Sequence, residues 1–120
     1  MKYILVADDE LINQSIFEEM LIDDYEVNIV DNGKACLESI EKRIPDLLLL
    51  DIAMPLMDGL EVCKNLRADE NTKDLPIVLV SAYASKGDRE VGIASGANDY
   101  ISKPFDVLHV IKRIEELLMV

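Results

Sequence analysis

Short runs of apolar, β-favouring residues alternate along the chain with stretches whose apolar positions recur every three or four residues. Tyr3 to Ala7 is the first run and ends in acid at Asp8-Asp9, and behind it Ile12, Ile16, Met20 and Leu21 fall at helical spacing. Glu26 to Val30 predicts a second strand; after the Asp31-Asn32-Gly33 turn, Ala35, Cys36, Ile40 and Ile44 follow a helical period up to Pro45. Asp46 to Leu50 is unbroken apolar after its first residue, as expected of a central strand covered on both faces, and Asp51 sits at its carboxyl end. Beyond the Met54-Pro55-Leu56-Met57-Asp58-Gly59 loop, Leu60, Val62, Cys63 and Leu66 predict a third helix that fades between Ala68 and Asp74. Pro76 opens a fourth strand, Ile77 to Val80 with Ser81 at its end. A weaker helix follows from about Lys86 to Ser95, softened by Gly92 and stopped by Gly96. Asp99 to Ser102 is the last strand. Asp106 caps a final helix held to the sheet by Val107, Val110, Ile111, Ile114, Leu117 and Leu118.

Strands alternating with helices demand crossover connections, and right-handed crossovers place helices on both faces of a parallel sheet. The fold class is therefore α/β, with residues 1–120 expected as one domain. Half the residues are hydrophobic and 30% are charged, too apolar for a disordered chain. A formal charge of -12 repels phosphate backbones and anionic membranes, so nucleic acid and membrane are not expected partners. The N-terminal apolar segment meets Asp8 too early for a signal peptide, which places the expected location in the cytoplasm. Cys36 and Cys63 lack the spacing of a disulfide framework or a zinc site and read as small buried residues. His109 alone excludes a centre needing two imidazoles, and reads as a surface residue of the last helix.

Ligands of such sheets bind at the carboxyl ends of the strands. There the chain places Asp8-Asp9, Asp51, Ser81 and Ser102-Lys103. Crowded carboxylates repel unless a cation neutralises them, and Mg²⁺, a hard oxygen-seeking ion, suits them with Lys103 as a second positive group. Such a site binds phosphoryl oxygens: Lys103 and the Ser81 hydroxyl each take one, and Asp51 is the central candidate nucleophile for an aspartyl phosphate.

Asp8-Asp9, Asp51 with Met54-Pro55 and Asp58-Gly59, Ser81-Ala82 and Lys103-Pro104-Phe105 together resemble, over the whole chain, the receiver domain of two-component response regulators. The resemblance implies a flavodoxin-like doubly wound (βα)5 fold with strand order 2-1-3-4-5. It also implies that Asp51 is phosphorylated by a histidine kinase or histidine phosphotransfer protein. It assigns metal ligation to Asp8, Asp9, Asp51 and the backbone carbonyl of Ala53, catalysis to Asp51, Lys103 and Ser81, and the switch to Ser81 and Tyr100. The hydroxyl would move toward the phosphoryl group and the aromatic ring turn inward, reshaping the face of the fourth helix, fifth strand and fifth helix for a partner protein. A cis bond before Pro104 would hold Lys103 inward. The domain would catalyse its own phosphorylation and dephosphorylation rather than act as a conventional enzyme, with Tyr83 shielding the acyl phosphate. Leu11 and Gln14 would be exposed on the first helix and help select the kinase.

The end of the chain at Val120 on the fifth helix leads to the expectation of a stand-alone switch of the chemotaxis or relay type, monomeric or weakly dimeric. Excision from a hybrid kinase or a multidomain regulator is the alternative. A Mg²⁺-dependent phosphatase with Asp51 as nucleophile is disfavoured, because the second acid expected two residues on is Ala53 and no segment supplies a cap. A flavin carrier is disfavoured because acid, not a phosphate-cradling loop, follows the first strand. Individually the residues have plainer readings. Asp8-Asp9 suits a helix start, Tyr100 a half-buried strand, and Met54-Pro55 and Asp58-Gly59 a turn in which Gly59 supplies an unusual backbone angle.

Overall fold

The computed structural model describes residues 1–83 and 85–119; Ala84 and Val120, the expected end of the last helix, lie outside the described residues. In chain order the elements are β1 (Tyr3–Ala7), α1 (Leu11–Leu21), β2 (Glu26–Val30), α2 (Gly33–Lys42) and β3 (Leu47–Asp51). They continue as α3 (Gly59–Ala68), β4 (Ile77–Ser81), α4 (Lys86–Ala94), β5 (Asp99–Ser102) and α5 (Val107–Leu118). All strand pairs are parallel, in the order β2-β1-β3-β4-β5. This is the flavodoxin-like order, and its winding reverses between β1 and β3, which opens a crevice at their carboxyl ends.

Alternation along the strands builds two cores. Leu5, Leu48, Leu50 and Leu79 point to the face covered by Cys36 and Ile40 of α2 and Val62, Cys63 and Leu66 of α3. Val6, Leu47, Leu49 and Val80 point to the opposite face, against Phe17 and Leu21 of α1 and Val110 and Ile114 of α5. β1, β3 and β4 are buried at every position, as expected of strands with apolar bodies, and the burial extends to the polar residues that end β3 and β4, Asp51 and Ser81. Asn32, Asp58 and Asp106 cap α2, α3 and α5 with side-chain oxygens, and Ser85 with Asp88 forms a capping box on α4. Both cysteines are buried and free, and burial pushes the Cys36 thiol up to about 12.

Several expectations need correction. Ile12 is 76% exposed and Ile16 also faces solvent, because α1 is rotated so that Phe17, stacked on Phe105 at 4.9 Å, and Leu21 enter the core. Ile44 lies beyond α2 and is exposed. β3 begins one residue after Asp46, whose carboxylate accepts from the Tyr3 amide at 2.7 Å and tethers the start of β1. Gly59 does not adopt a left-handed angle; that conformation falls on Leu56, with φ 69°. Glycine is required at 59 by close approach, since a Cβ there would stand 2.1 Å from the Asp51 carbonyl oxygen. Gly96, φ 115°, ends α4 as the pattern predicts.

Candidate functional site

The carboxyl ends of β1, β3, β4 and β5 converge on one cleft of about 320 Å³, lined by Asp9, Glu10, Asp51, Ala53, Ser81, Tyr83 and Lys103. Parallel register brings them there. Ala7 lies beside Leu50, Asp51 beside Val80, and Ser81 beside Ser102, so the residues at or just beyond each strand end emerge at one level. The loops are then tied to the sheet: the Asp8 amide donates to the Val30 carbonyl at 3.0 Å and the Lys103 amide to the Ser81 carbonyl at 2.7 Å. The Gly59 amide donates to the Ile52 carbonyl at 2.8 Å, closing the loop behind Asp51. The Lys103–Pro104 peptide is cis.

Charge is concentrated in this cleft. Lys103 Nζ lies 3.0 Å from Asp8 Oδ2, 3.4 Å from Asp51 Oδ2 and 3.9 Å from Glu10 Oε1. Asp8 and Asp51 are buried, and Asp51 Oδ1 accepts from the Ile52 amide at 2.8 Å. Burial pushes the Asp51 carboxyl up to about 6; Lys103 draws it down, Asp8 pushes it further up, and burial wins. Burial alone would lower the Lys103 ammonium, but its hydrogen bond to Asp8 and the charge of Asp51 hold it above the usual lysine range. The lysine is a fixed cation, and Asp51 is a carboxylate whose charge is incompletely compensated.

Carboxylate oxygens of Asp8, Asp9, Glu10 and Asp51 all lie within 4.8 Å of one another. This all-oxygen donor set, carrying more negative charge than one lysine can balance, fits a hard divalent cation such as Mg²⁺. Glu10 is the residue that strand-end reasoning missed; its signal was the unbroken Asp8-Asp9-Glu10 triplet. Ala53 lines the cleft as expected. Ser81 is buried, and its Oγ accepts from the Tyr83 amide at 3.1 Å. Tyr100 is only 3% exposed, and its hydroxyl donates to the Tyr83 carbonyl. The ring is thus already inward here. Tyr83 stands 55% exposed at the rim, His109 is exposed, and Leu11 is exposed. Gln14, expected to be exposed, is half-buried, because its amide donates to the Asp8 carbonyl at 2.6 Å and braces the acidic loop.

The chain is thus a doubly wound parallel α/β domain with an acidic cleft at its switch point, into which a lysine from beyond the last strand reaches. A model of the response regulator receiver domain matches residues 4–115, and the chain belongs to that family. It is 39% identical over 115 residues to the response regulator PleD of Caulobacter vibrioides, covering 95% of this chain and 25% of PleD. Across the curated relatives it matches, the chain spans between about a quarter and about half of their length. A response regulator structure from Chloroflexus aurantiacus superposes with a TM-score of 0.95 at 32% identity, covering 99% of this chain and 98% of that one. The receiver domain of a sensor histidine kinase from Pseudomonas aeruginosa superposes at 0.91, also at 32% identity, covering 99% and 98%; that structure has a magnesium ion coordinated in its active site cleft. No helix among the described residues is long and apolar enough to cross a membrane.

Proposed function

We propose that this receiver is a phosphorylation-activated switch that accepts a phosphoryl group on Asp51 from a phosphohistidine of a histidine kinase or histidine phosphotransfer protein. The observation that carries the reading is the placement of Asp51 at the end of the central strand, 3.4 Å from Lys103 and within reach of three further carboxylates. One Asp51 carboxylate oxygen forms the P–O bond as the P–N bond to the donor imidazole breaks, and the departing nitrogen takes a proton from solvent. Lys103, already held in the cleft, exchanges part of its pairing with Asp51 for a phosphoryl oxygen. Ser81 Oγ only accepts a hydrogen bond among the described residues, so its own proton is available for another phosphoryl oxygen. Asp8, Asp9, Asp51 and the Ala53 carbonyl, joined by Glu10, are the proposed surroundings of a Mg²⁺ ion. When bound, the ion supplies charge neutralisation for the transferring phosphoryl group.

The switch runs through one residue, Tyr83. The Tyr83 amide donates to Ser81 and its carbonyl accepts from Tyr100, so a turn of the Ser81 hydroxyl toward the phosphoryl group pulls on the Tyr100 anchor. Tyr83 itself, at the rim, shields the acyl phosphate. The population shift is driven by contacts that exist only in the phosphorylated form, and its output is the α4-β5-α5 face, read by a downstream protein. We place this activity in the cytoplasm, in a monomer or weak dimer. The unit acts either as a stand-alone switch or as the receiver of a hybrid kinase or multidomain regulator. The test is intact mass after incubation with acetyl phosphate. The expected result is one phosphoryl adduct that requires Mg²⁺ and is lost in Asp51→Ala; an adduct that survives this substitution overturns the assignment.

A further inference from the structure

Gly92 lies inside α4, and nothing in its backbone calls for glycine: among the glycines of the described residues only Gly96 has a positive φ. Glycine is the poorest helix former short of proline, so the residue weakens a helix of nine residues without any gain from the turn it occupies. The compensation is space. A Cβ at position 92 would stand 2.5 Å from Tyr100 Cδ2, 2.9 Å from Tyr100 Cε2 and 3.1 Å from Leu79 Cδ1. The Tyr100 ring therefore lies directly against the bare backbone of α4, in the place where a side chain would be.

Three observations decide what would yield if a methyl group were added. α4 is tied to β5 by Arg89, whose guanidinium donates to the Tyr100 carbonyl at 2.7 Å and pairs with Asp99 at 3.3 Å, so lifting the helix would break both contacts. Leu79 is fully buried in the central sheet and has nowhere to go. The tyrosine ring is different: it belongs to the last strand of the sheet, and its inward position is secured at its tip by the hydrogen bond to the Tyr83 carbonyl. Of the three neighbours, the ring is the one with an exit.

We propose that Gly92 is a positioning residue for the switch: the missing side chain is the socket that admits the Tyr100 ring, and its emptiness sets how much of the population holds the ring inward. The inference rests on the assignment of Tyr100 as the switch aromatic. Gly92 touches neither phosphoryl group nor cation and acts only through the ring. Gly87, on the same helix, meets nothing closer than Ser85 Oγ at 3.8 Å and serves as the control for helix propensity.

The experiment compares the wild type, Gly92→Ala, Tyr100→Ala, the double variant and Gly87→Ala. The tyrosine ring resonances of the free proteins are recorded by NMR, and the affinity for beryllofluoride, a phosphoryl mimic, is measured with Mg²⁺. Overpacking of this kind displaces side chains. The expected result is a Tyr100 ring signal shifted to that of a solvent-exposed tyrosine in Gly92→Ala, with beryllofluoride affinity weakened about tenfold. The affinity loss should shrink below about twofold in the Tyr100→Ala background, and Gly87→Ala should leave ring and affinity as in the wild type. An unchanged ring signal in Gly92→Ala, or an affinity loss that persists without Tyr100, overturns the socket. If the wild type does not bind beryllofluoride, the assignment of the switch fails, while the ring signal still decides whether Gly92 positions Tyr100.

Discussion

Asp51, as the proposed nucleophile, meets two opposed demands, since a nucleophile must be ionised and a buried carboxylate resists ionisation. Its carboxyl is raised from 3.8 to about 6, so the folded protein holds this proton more tightly than the unfolded chain does. A raised carboxyl pKa destabilises the fold as pH climbs through the interval between the unfolded and folded values, here from about 4 to about 6, and the full cost is present above it. In buffer freed of divalent cations, Asp51→Asn should therefore be more stable than the wild type above pH 6, by about 2–3 kcal/mol. The difference should fade below pH 4, where both side chains are neutral. Urea unfolding across that pH range measures it, and a wild type as stable as the variant at pH 7 would show that Lys103 fully compensates the charge. The chemistry of this residue was legible in the sequence, because an acid directly after four leucines has to find a partner. Glu10 was not, since an acid at the start of a helix has a sufficient local explanation.

At the scale of elements, strand positions were readable and the rotation of α1 was not. Of the predicted stripe Ile12, Ile16, Met20 and Leu21, Leu21 is buried and Met20 packs at the core's edge while the two isoleucines face solvent, and spacing alone does not put Phe17 in their place. The choice is tertiary: Phe17 finds Phe105, from the loop that follows Lys103, and the aromatic stack outweighs a stripe of smaller residues. Phe17→Ala should cost about 3–5 kcal/mol in chemical unfolding, whereas Ile12→Gln should change stability by less than about 0.5 kcal/mol. Equal effects would mean that α1 packs in the other rotation. The role of Gly59 was misread for a related reason. A glycine in a turn signals an unusual dihedral angle, but here it marks the close approach of α3 to the β3 carbonyl, which no local pattern encodes.

For the whole molecule, the parallel α/β topology followed from alternation and the crossover rule, whereas the strand order came only with the receiver-domain resemblance that the strand-end residues carry. The net charge, also legible in the composition, acts on the fold as a whole. At -12, self-repulsion opposes compaction, so raising NaCl from about 0.02 to about 0.5 M in divalent-free buffer should lift the thermal midpoint by about 3–6 °C. A falling midpoint would mean that ion pairs such as Arg113 with Asp99 matter more than the net field. The pair between Lys103 and Asp8 joins residues 95 positions apart, across most of the chain and, in the sheet, across the two strands β3 and β4 that separate β1 from β5. Asp51 leaves the ribosome long before its lysine does. Until the fifth strand has threaded beside the fourth, the proposed acceptor is an acid without its lysine, so competence to be charged doubles as a certificate that folding is complete.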